Sequence, residues 1–142
     1  MTEQPSESQG VAVRVSNGTR RAIFIDSPRR TISEVEIDSL DDMQKLIGGY
    51  IEVAFAWPNG DTLYVDEEGL LKVQDYFFAL PGERPDQPFA GNGVIVGREE
   101  EGPEFIGGYT THPPVITIDE LAAKIVWLTA DQVRLRFWGQ KP

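Results

Sequence analysis

Residues 50–66 read YIEVAFAWPNGDTLYVD, and this stretch decides the fold class. Tyr50, Glu52, Ala54 and Ala56 alternate with Ile51, Val53, Phe55 and Trp57, the period of two that sends successive side chains to opposite faces of a strand. Pro58-Asn59-Gly60-Asp61 is a turn, because Asn-Gly enters positive φ readily. Residues 62–66 then return as the second strand of a hairpin, and Glu67-Glu68-Gly69 ends it.

Upstream, residues 40–47 (LDDMQKLI) predict a short helix. Ser39 or Asp38 caps its start, Asp41 and Asp42 fill the first turn, and Lys45 lies nearer the end, the arrangement that suits the helix dipole. Leu40, Met43 and Ile47 form one apolar stripe. Gly48 stands where a left-handed C-terminal cap is wanted. In residues 31–37, apolar Ile32, Val35 and Ile37 interleave with Glu34 and Glu36, a strand pattern. Residues 21–26 (RAIFID) make another strand, broken by Ser27-Pro28-Arg29-Arg30. Residues 11–15 (VAVRV) are its expected hairpin partner through a turn at 16–19. Residues 1–10 (MTEQPSESQG) hold no apolar residue after Met1 and read as a disordered tail, since they cannot offset the entropy of ordering.

Downstream, residues 70–80 are apolar without a clean period, which leaves their type open. Residues 81–88 carry three prolines and a glycine and predict a loop. Val94-Ile95-Val96 is a short, fully apolar run that suits a buried central strand. Residues 98–103 predict a charged turn whose hairpin returns through 105–109. Thr117-Ile118-Asp119-Glu120 fits a capping box, with Leu121, Lys124, Ile125 and Leu128 following at helical spacing. Residues 132–138 (QVRLRFW) alternate and predict a terminal strand, the competing reading being a helix capped over residues 129–132.

The chain has 142 residues, 40% of them apolar, and a formal charge of -10. That length buries roughly two-thirds of the unfolded surface without help from a disulfide or metal. There is no cysteine and one histidine, which excludes disulfides, thiol chemistry and a multi-histidine metal centre. The acid excess argues against direct binding of nucleic acid. No stretch reaches the 18 or so apolar residues of a membrane span, and the N-terminus lacks the pattern of a signal peptide. The expectation is a cytoplasmic protein without a membrane partner.

One resemblance is specific. Met43-Gln44, Ile47-Gly48-Gly49-Tyr50-Ile51-Glu52 and Glu67-Glu68-Gly69 follow a pattern of Leu-Gln, Val-Gly-Gly-Tyr-Ile-Glu and, some fifteen residues on, Glu-Glu-Gly. The chain thereby resembles an uncharacterised small-protein family of phages, plasmids and integrated elements. The resemblance covers about residues 30–125 and is densest over the first forty. Asp75-Tyr76-Phe77-Phe78-Ala79 stands where family members carry an Asn, and residues 90–97 (AGNGVIVG) match their Gly-rich apolar strand. The resemblance implies an α+β fold and a mobile-element setting, and no reaction.

For chemistry the residues offer little. Gly48-Gly49-Tyr50 joins a helix end to a strand start, the reverse of a phosphate-binding loop. It reads as a cap, with a small-ligand contact by Tyr50 and Glu52 as the competing view. Glu52 falls near Asp66 or Glu67 across the expected hairpin, where close carboxylates suit acid–base work or a divalent cation; solvated hairpin ends explain the same residues. His112 precedes two prolines and has no nucleophile paired to it by spacing. Glu99-Glu100-Glu101 reads as a solvated run, and Trp57, Trp127 and Trp138 as core, with Trp138 near an interface. Residues 34–68 hold ten acids (Glu34, Glu36, Asp38, Asp41, Asp42, Glu52, Asp61, Asp66, Glu67, Glu68) against Lys45 alone. Residues 11–33 hold Arg14, Arg20, Arg21, Arg29 and Arg30 against Asp26.

These observations predict one α+β domain over residues 11–142, a mainly antiparallel sheet of five to seven strands with two helices packed on one side. The expected function is a non-catalytic binding protein, a phage or plasmid accessory factor that inhibits host defence or other host machinery. Its acidic face, Asp41, Asp42, Glu67 and Glu68, would meet a basic host protein; solubility is the plainer explanation of the charge. The alternative is a nucleotide binder or sponge using Tyr50, Glu52, Arg29 and Arg30, with guanidinium on phosphate and a ring on the base. An enzyme of unknown reaction ranks behind both. No cofactor or metal is expected, and open edge strands would permit a homodimer.

Overall fold

The structure, a computed structural model, describes residues 20–101 and 109–138. The expected tail at 1–10, the strand at 11–15 and the turn at 16–19 lie outside the described residues. β1 (Arg20–Asp26) and β2 (Thr31–Ile37) form a hairpin. α1 (Leu40–Ile47) follows, capped at Ser39, whose side chain accepts from the Asp42 N–H, and at Gly48 with φ 94°. β3 (Ile51–Ala56) and β4 (Thr62–Asp66) are the hairpin of the deciding stretch. After a 3₁₀ turn over Gly69–Leu71 come β5 (Tyr76–Ala79), β6 (Pro88–Ala90) and β7 (Gly93–Val96). β8 (Glu99–Glu101) and β9 (Tyr109–Thr111) pair with each other. α2 (Ile118–Lys124), β10 (Val126–Thr129) and α3 (Ala130–Val133) close the chain, with a π-helical turn over Arg134–Trp138.

The main sheet is antiparallel with the order β2-β1-β7-β4-β3, and a second sheet runs β10-β5-β6. The fully apolar run 94–96 is the central strand, as its sequence predicts. Pleating sends Ile23, Ile25, Leu63, Val65 and Ile95 to one face and Ala22, Val94 and Val96 to the other. Met43 and Ile47 of α1 cover the second face. The first is covered by Phe78 and Phe89 of the smaller sheet and by Leu121 of α2. Phe77, Ala79 and Ala90 point away from that core toward Leu128 and Val133. Each fully buried Ile, Leu or Phe contributes about 1.5–3 kcal/mol, so these three clusters hold the single α+β domain together.

Several expectations change. α1 and α2 cover opposite faces of the main sheet, and there are three helices among the described residues instead of two on one side. Residues 130–138 are helical, not a strand: Thr129 and Gln132 make a reciprocal capping box, and only Val133 of the alternating set is fully buried. α2 stops at Lys124 because the β-branched pair Ile125-Val126 continues as strand, so Leu128 lies on β10 opposite Phe77. The expected turn at 98–103 contains β8, which pairs with residues 109–111. A bulge between Val53 and Phe55 breaks the alternation of β3. It buries Ala54 and turns Val53 outward, against the faces its spacing predicts. Leu40 is also exposed, since α1 meets the sheet through Met43 and Ile47, with Leu46 packed beside them. β1 has β2 along one edge and β7 along the other at Ile23–Ile25.

Candidate functional site

The two halves of the signature motif meet at one end of the main sheet. α1 ends when the Gly48 N–H donates to the Gln44 carbonyl (2.7 Å) and Gly48 turns left-handed. The chain then enters β3, and the Tyr50 carbonyl accepts from the Glu67 N–H at 2.8 Å. Asp66, buried at the end of β4, accepts from the Glu68 N–H (2.9 Å) and from Lys72 Nζ (2.7 Å). Lys72 Nζ also reaches the Gly48 carbonyl at 3.4 Å, an orphan acceptor of the helix end. Gly49 packs against this ion pair so closely that a Cβ would stand 3.0 Å from Nζ and 3.1 Å from both Asp66 oxygens. The hydrogen bond to Asp66 raises the Lys72 pKa above its ordinary value, burial opposes it, and the Asp66 and Glu68 charges add to the rise. The glycines and Asp66 therefore form a structural clasp whose polar groups are already satisfied.

The clasp shapes the surface beside it. Gly69 is buried against Ala90, which turns the next residues outward: Leu71 is 86% and Val73 98% exposed, with Tyr50 at 70%. Beside Leu71 is a cleft of about 70 Å³ lined by Glu52, Val65, Asp66, Glu67, Leu70, Leu71 and Phe89, among others. Glu52 and Glu67 have no ion-pair partner among the described residues. Glu52 stands opposite Val65, and Asp66 opposite Ile51. The pleat thus sends Glu52 and Asp66 to opposite faces, and the Asp66 carboxylate is held by Lys72. Among the described residues no group of three or more acidic or histidine side chains could hold a metal ion.

The other predicted residues lie elsewhere. Asp41 pairs with Lys45 at 3.3 Å, and Asp42 accepts from the Asp38 N–H at 2.7 Å as part of the cap. Both sit at the start of α1, whereas Glu67 and Glu68 lie beyond its end, about 12 Å along an eight-residue helix. The four acids do not make one continuous patch. Arg29 is held by Asp26 at the β1–β2 turn (3.1 Å), and Arg30 adopts φ 57° there. That turn shares an end of the sheet with Tyr50 and Glu52, but β7 and β4 intervene, a separation of about 14 Å at 4.8 Å per strand. His112 Nε2 lies 3.2 Å from Arg98 Nη2, and the His112 backbone N–H donates to the Arg98 carbonyl. Trp57 and Trp127 pack against the core.

Sequence reasoning missed two buried carboxylates. Asp61, expected as a turn residue and one of the acidic run, is fully buried and accepts from the Val115 N–H (2.8 and 3.0 Å) and the Ile116 N–H (2.8 Å). It ties the start of α2 to the β3–β4 turn. Glu83, in the proline-rich loop, accepts from Trp57 Nε1 (3.2 Å) and Lys124 Nζ (3.0 Å). Beside it Arg84 donates to the Ala54 carbonyl that the β3 bulge exposes (2.6 Å). Neither role has a local signal, because each partner is more than 25 residues away. A wider cavity of about 330 Å³ lies between Arg21, Glu34 and Pro113–Asp119. It holds one arginine, two acids and no aromatic ring, a poor match to a nucleotide.

A family model described as a domain of unknown function, DUF3846, matches residues 20–110. The match spans the main sheet, α1 and the clasp, and leaves α2, β10 and α3 outside it. No curated protein and no solved structure matches the chain. No helix among the described residues is long and apolar enough to cross a membrane.

Proposed function

The chain belongs to the DUF3846 family, and on that premise we propose that it is a non-catalytic binding protein, an accessory factor of a mobile element that occupies a basic surface on a host protein. The observation that carries this reading is the surface beside the clasp. Leu70, Leu71, Val73 and Tyr50 are exposed next to Glu52, Glu67 and Glu68. Apolar side chains grouped at the surface and rimmed by charge are the usual composition of a protein-binding site. The charge of -10 steers a basic partner toward it and quickens association. Inhibition of a host defence is the most concrete form of this role. A nucleotide sponge has less in its favour: Arg29 is already paired, and the larger cavity carries two acids and no ring.

The test is capture of host proteins on the full chain at low and high salt. A basic protein retained at low salt and released at high salt supports the proposal, provided Leu71→Ser with Val73→Ser loses it. Both side chains are solvent-exposed, so these changes leave stability within about 0.5 kcal/mol. Retention of the same partner by the double variant refutes the surface, and a co-purifying nucleotide in mass spectra refutes the protein-binding role.

A further inference from the structure

The cleft beside the clasp has an apolar floor and an anionic rim, and this combination specifies its occupant more narrowly than the surface as a whole. Val65, Leu70, Leu71, Pro88 and Phe89 supply the apolar walls, and Glu52 and Glu67 line the same cleft. Its volume of about 70 Å³ is more than twice the share of one water, about 30 Å³. It therefore has room for a short aliphatic stem, not for a ring system or a folded element. We infer that the cleft receives one lysine or arginine side chain from an extended segment of the protein partner, the stem lying along Leu70 and Leu71 and the cationic head between Glu52 and Glu67.

The inference rests on the binding role proposed above and adds what the partner must present. Long basic side chains bury their methylenes against apolar walls while the charged head stays at the polar rim. An arginine would also meet a carboxylate in two parallel hydrogen bonds. Leu71 lines the cleft with most of its side chain still in solvent, and Val73, outside the cleft, is almost fully exposed. They would cover aliphatic neighbours of that basic residue, so the recognised segment is a basic residue flanked by aliphatic ones. The acids of the clasp itself do not compete for the cation, because Asp66 is held by Lys72.

The experiment selects peptides from a random displayed library on the full chain and measures the dissociation constants of those enriched. The expected winners carry Lys or Arg beside aliphatic residues and weaken about fivefold or more on Glu52→Gln with Glu67→Gln. Replacing their basic residue by uncharged norleucine should cause a similar loss, and the advantage of the unmodified chain should shrink at high salt. Both glutamates are exposed, so the variant keeps its fold. Peptides without a basic residue, or binding indifferent to the two glutamines, overturn the cleft assignment. If those same peptides still depend on Leu71 and Val73, the binding surface stands and only the cleft assignment fails. Peptides indifferent to Leu71→Ser with Val73→Ser, or no enrichment at all, overturn both. Free arginine or spermidine that displaces the peptides at equal concentration points to a small cation as the ligand and also overturns the assignment.

Discussion

Asp61→Ala should be the most damaging single substitution outside the apolar core. The carboxylate is 0% exposed and receives the N–H groups of Val115 and Ile116 at 2.8–3.0 Å. A hydrogen bond to a charged group contributes about 1.5–3 kcal/mol, and a buried donor left without an acceptor costs about 1–3 kcal/mol. Val115 is exposed, so water can replace much of its bond, and a loss of about 1 kcal/mol is assigned there. Ile116 is buried and loses about 2–3 kcal/mol. The sum, about 3–4 kcal/mol, is a large share of the 5–15 kcal/mol that holds a typical domain. At about 3 °C per kcal/mol for this size, the melting temperature should fall by on the order of 10 °C. Urea titration measures the total, and hydrogen exchange locates it: the Ile116 amide should lose protection first, with α2 following. Asp61→Asn keeps one acceptor oxygen and should lose about half as much. A cost below about 1 kcal/mol, or an Ile116 amide that stays protected, would refute the anchoring role.

The clasp gives two further expectations. Gly48→Ala should cost about 1–2 kcal/mol through backbone strain alone, because φ is +94° and nothing lies within 4 Å of the added Cβ. Gly49→Ala should cost about 1–3 kcal/mol by a different route, forcing Lys72 and Asp66 apart; urea melts of the two variants, with and without Lys72→Met, separate the mechanisms. Lys72 makes the third. Its pKa in the folded chain is above 10.5, chiefly through the Asp66 hydrogen bond, so its contribution is complete below the unfolded value and is lost as pH rises through the folded one. The stability gap between the parent chain and Lys72→Met should stay constant from neutral pH up to about 10 and close above it. A gap unchanged at the highest pH tested would show that the ammonium is not what stabilises the clasp.

Local chemistry carried much of this molecule into view without coordinates. The cap at Gly48, the box at Thr117 and Glu120, and the Asn59-Gly60 turn are each set by residues within a few positions of one another. The central strand is apolar on both faces because it is covered on both faces. Where two local patterns competed at residues 129–138, the capping box prevailed over alternation, since the tertiary fold offers that segment a buried place for Val133 and none for Leu135. The bulge at Val53 is invisible in a sequence that alternates cleanly, because it depends on Arg84 reaching the freed Ala54 carbonyl from 30 residues away.

For the candidate site the division is the same. The sequence alone marked Gly48-Gly49-Tyr50 and Glu67-Glu68-Gly69 as related, and it determined an α+β chain with an excess of negative charge. Only the tertiary structure decided that Asp66 and Lys72 lock those motifs together, that Asp41 and Asp42 face a different end of the sheet, and that Leu71 and Val73 stand in solvent. Residues 70–80 lack a period because burial there is set by a 3₁₀ turn and a second sheet, not by one repeating face. A pattern in sequence reports contacts whose spacing is fixed by one element's geometry. Contacts between elements have no such spacing, and the ion pair, the buried carboxylates and the cleft are all of that kind.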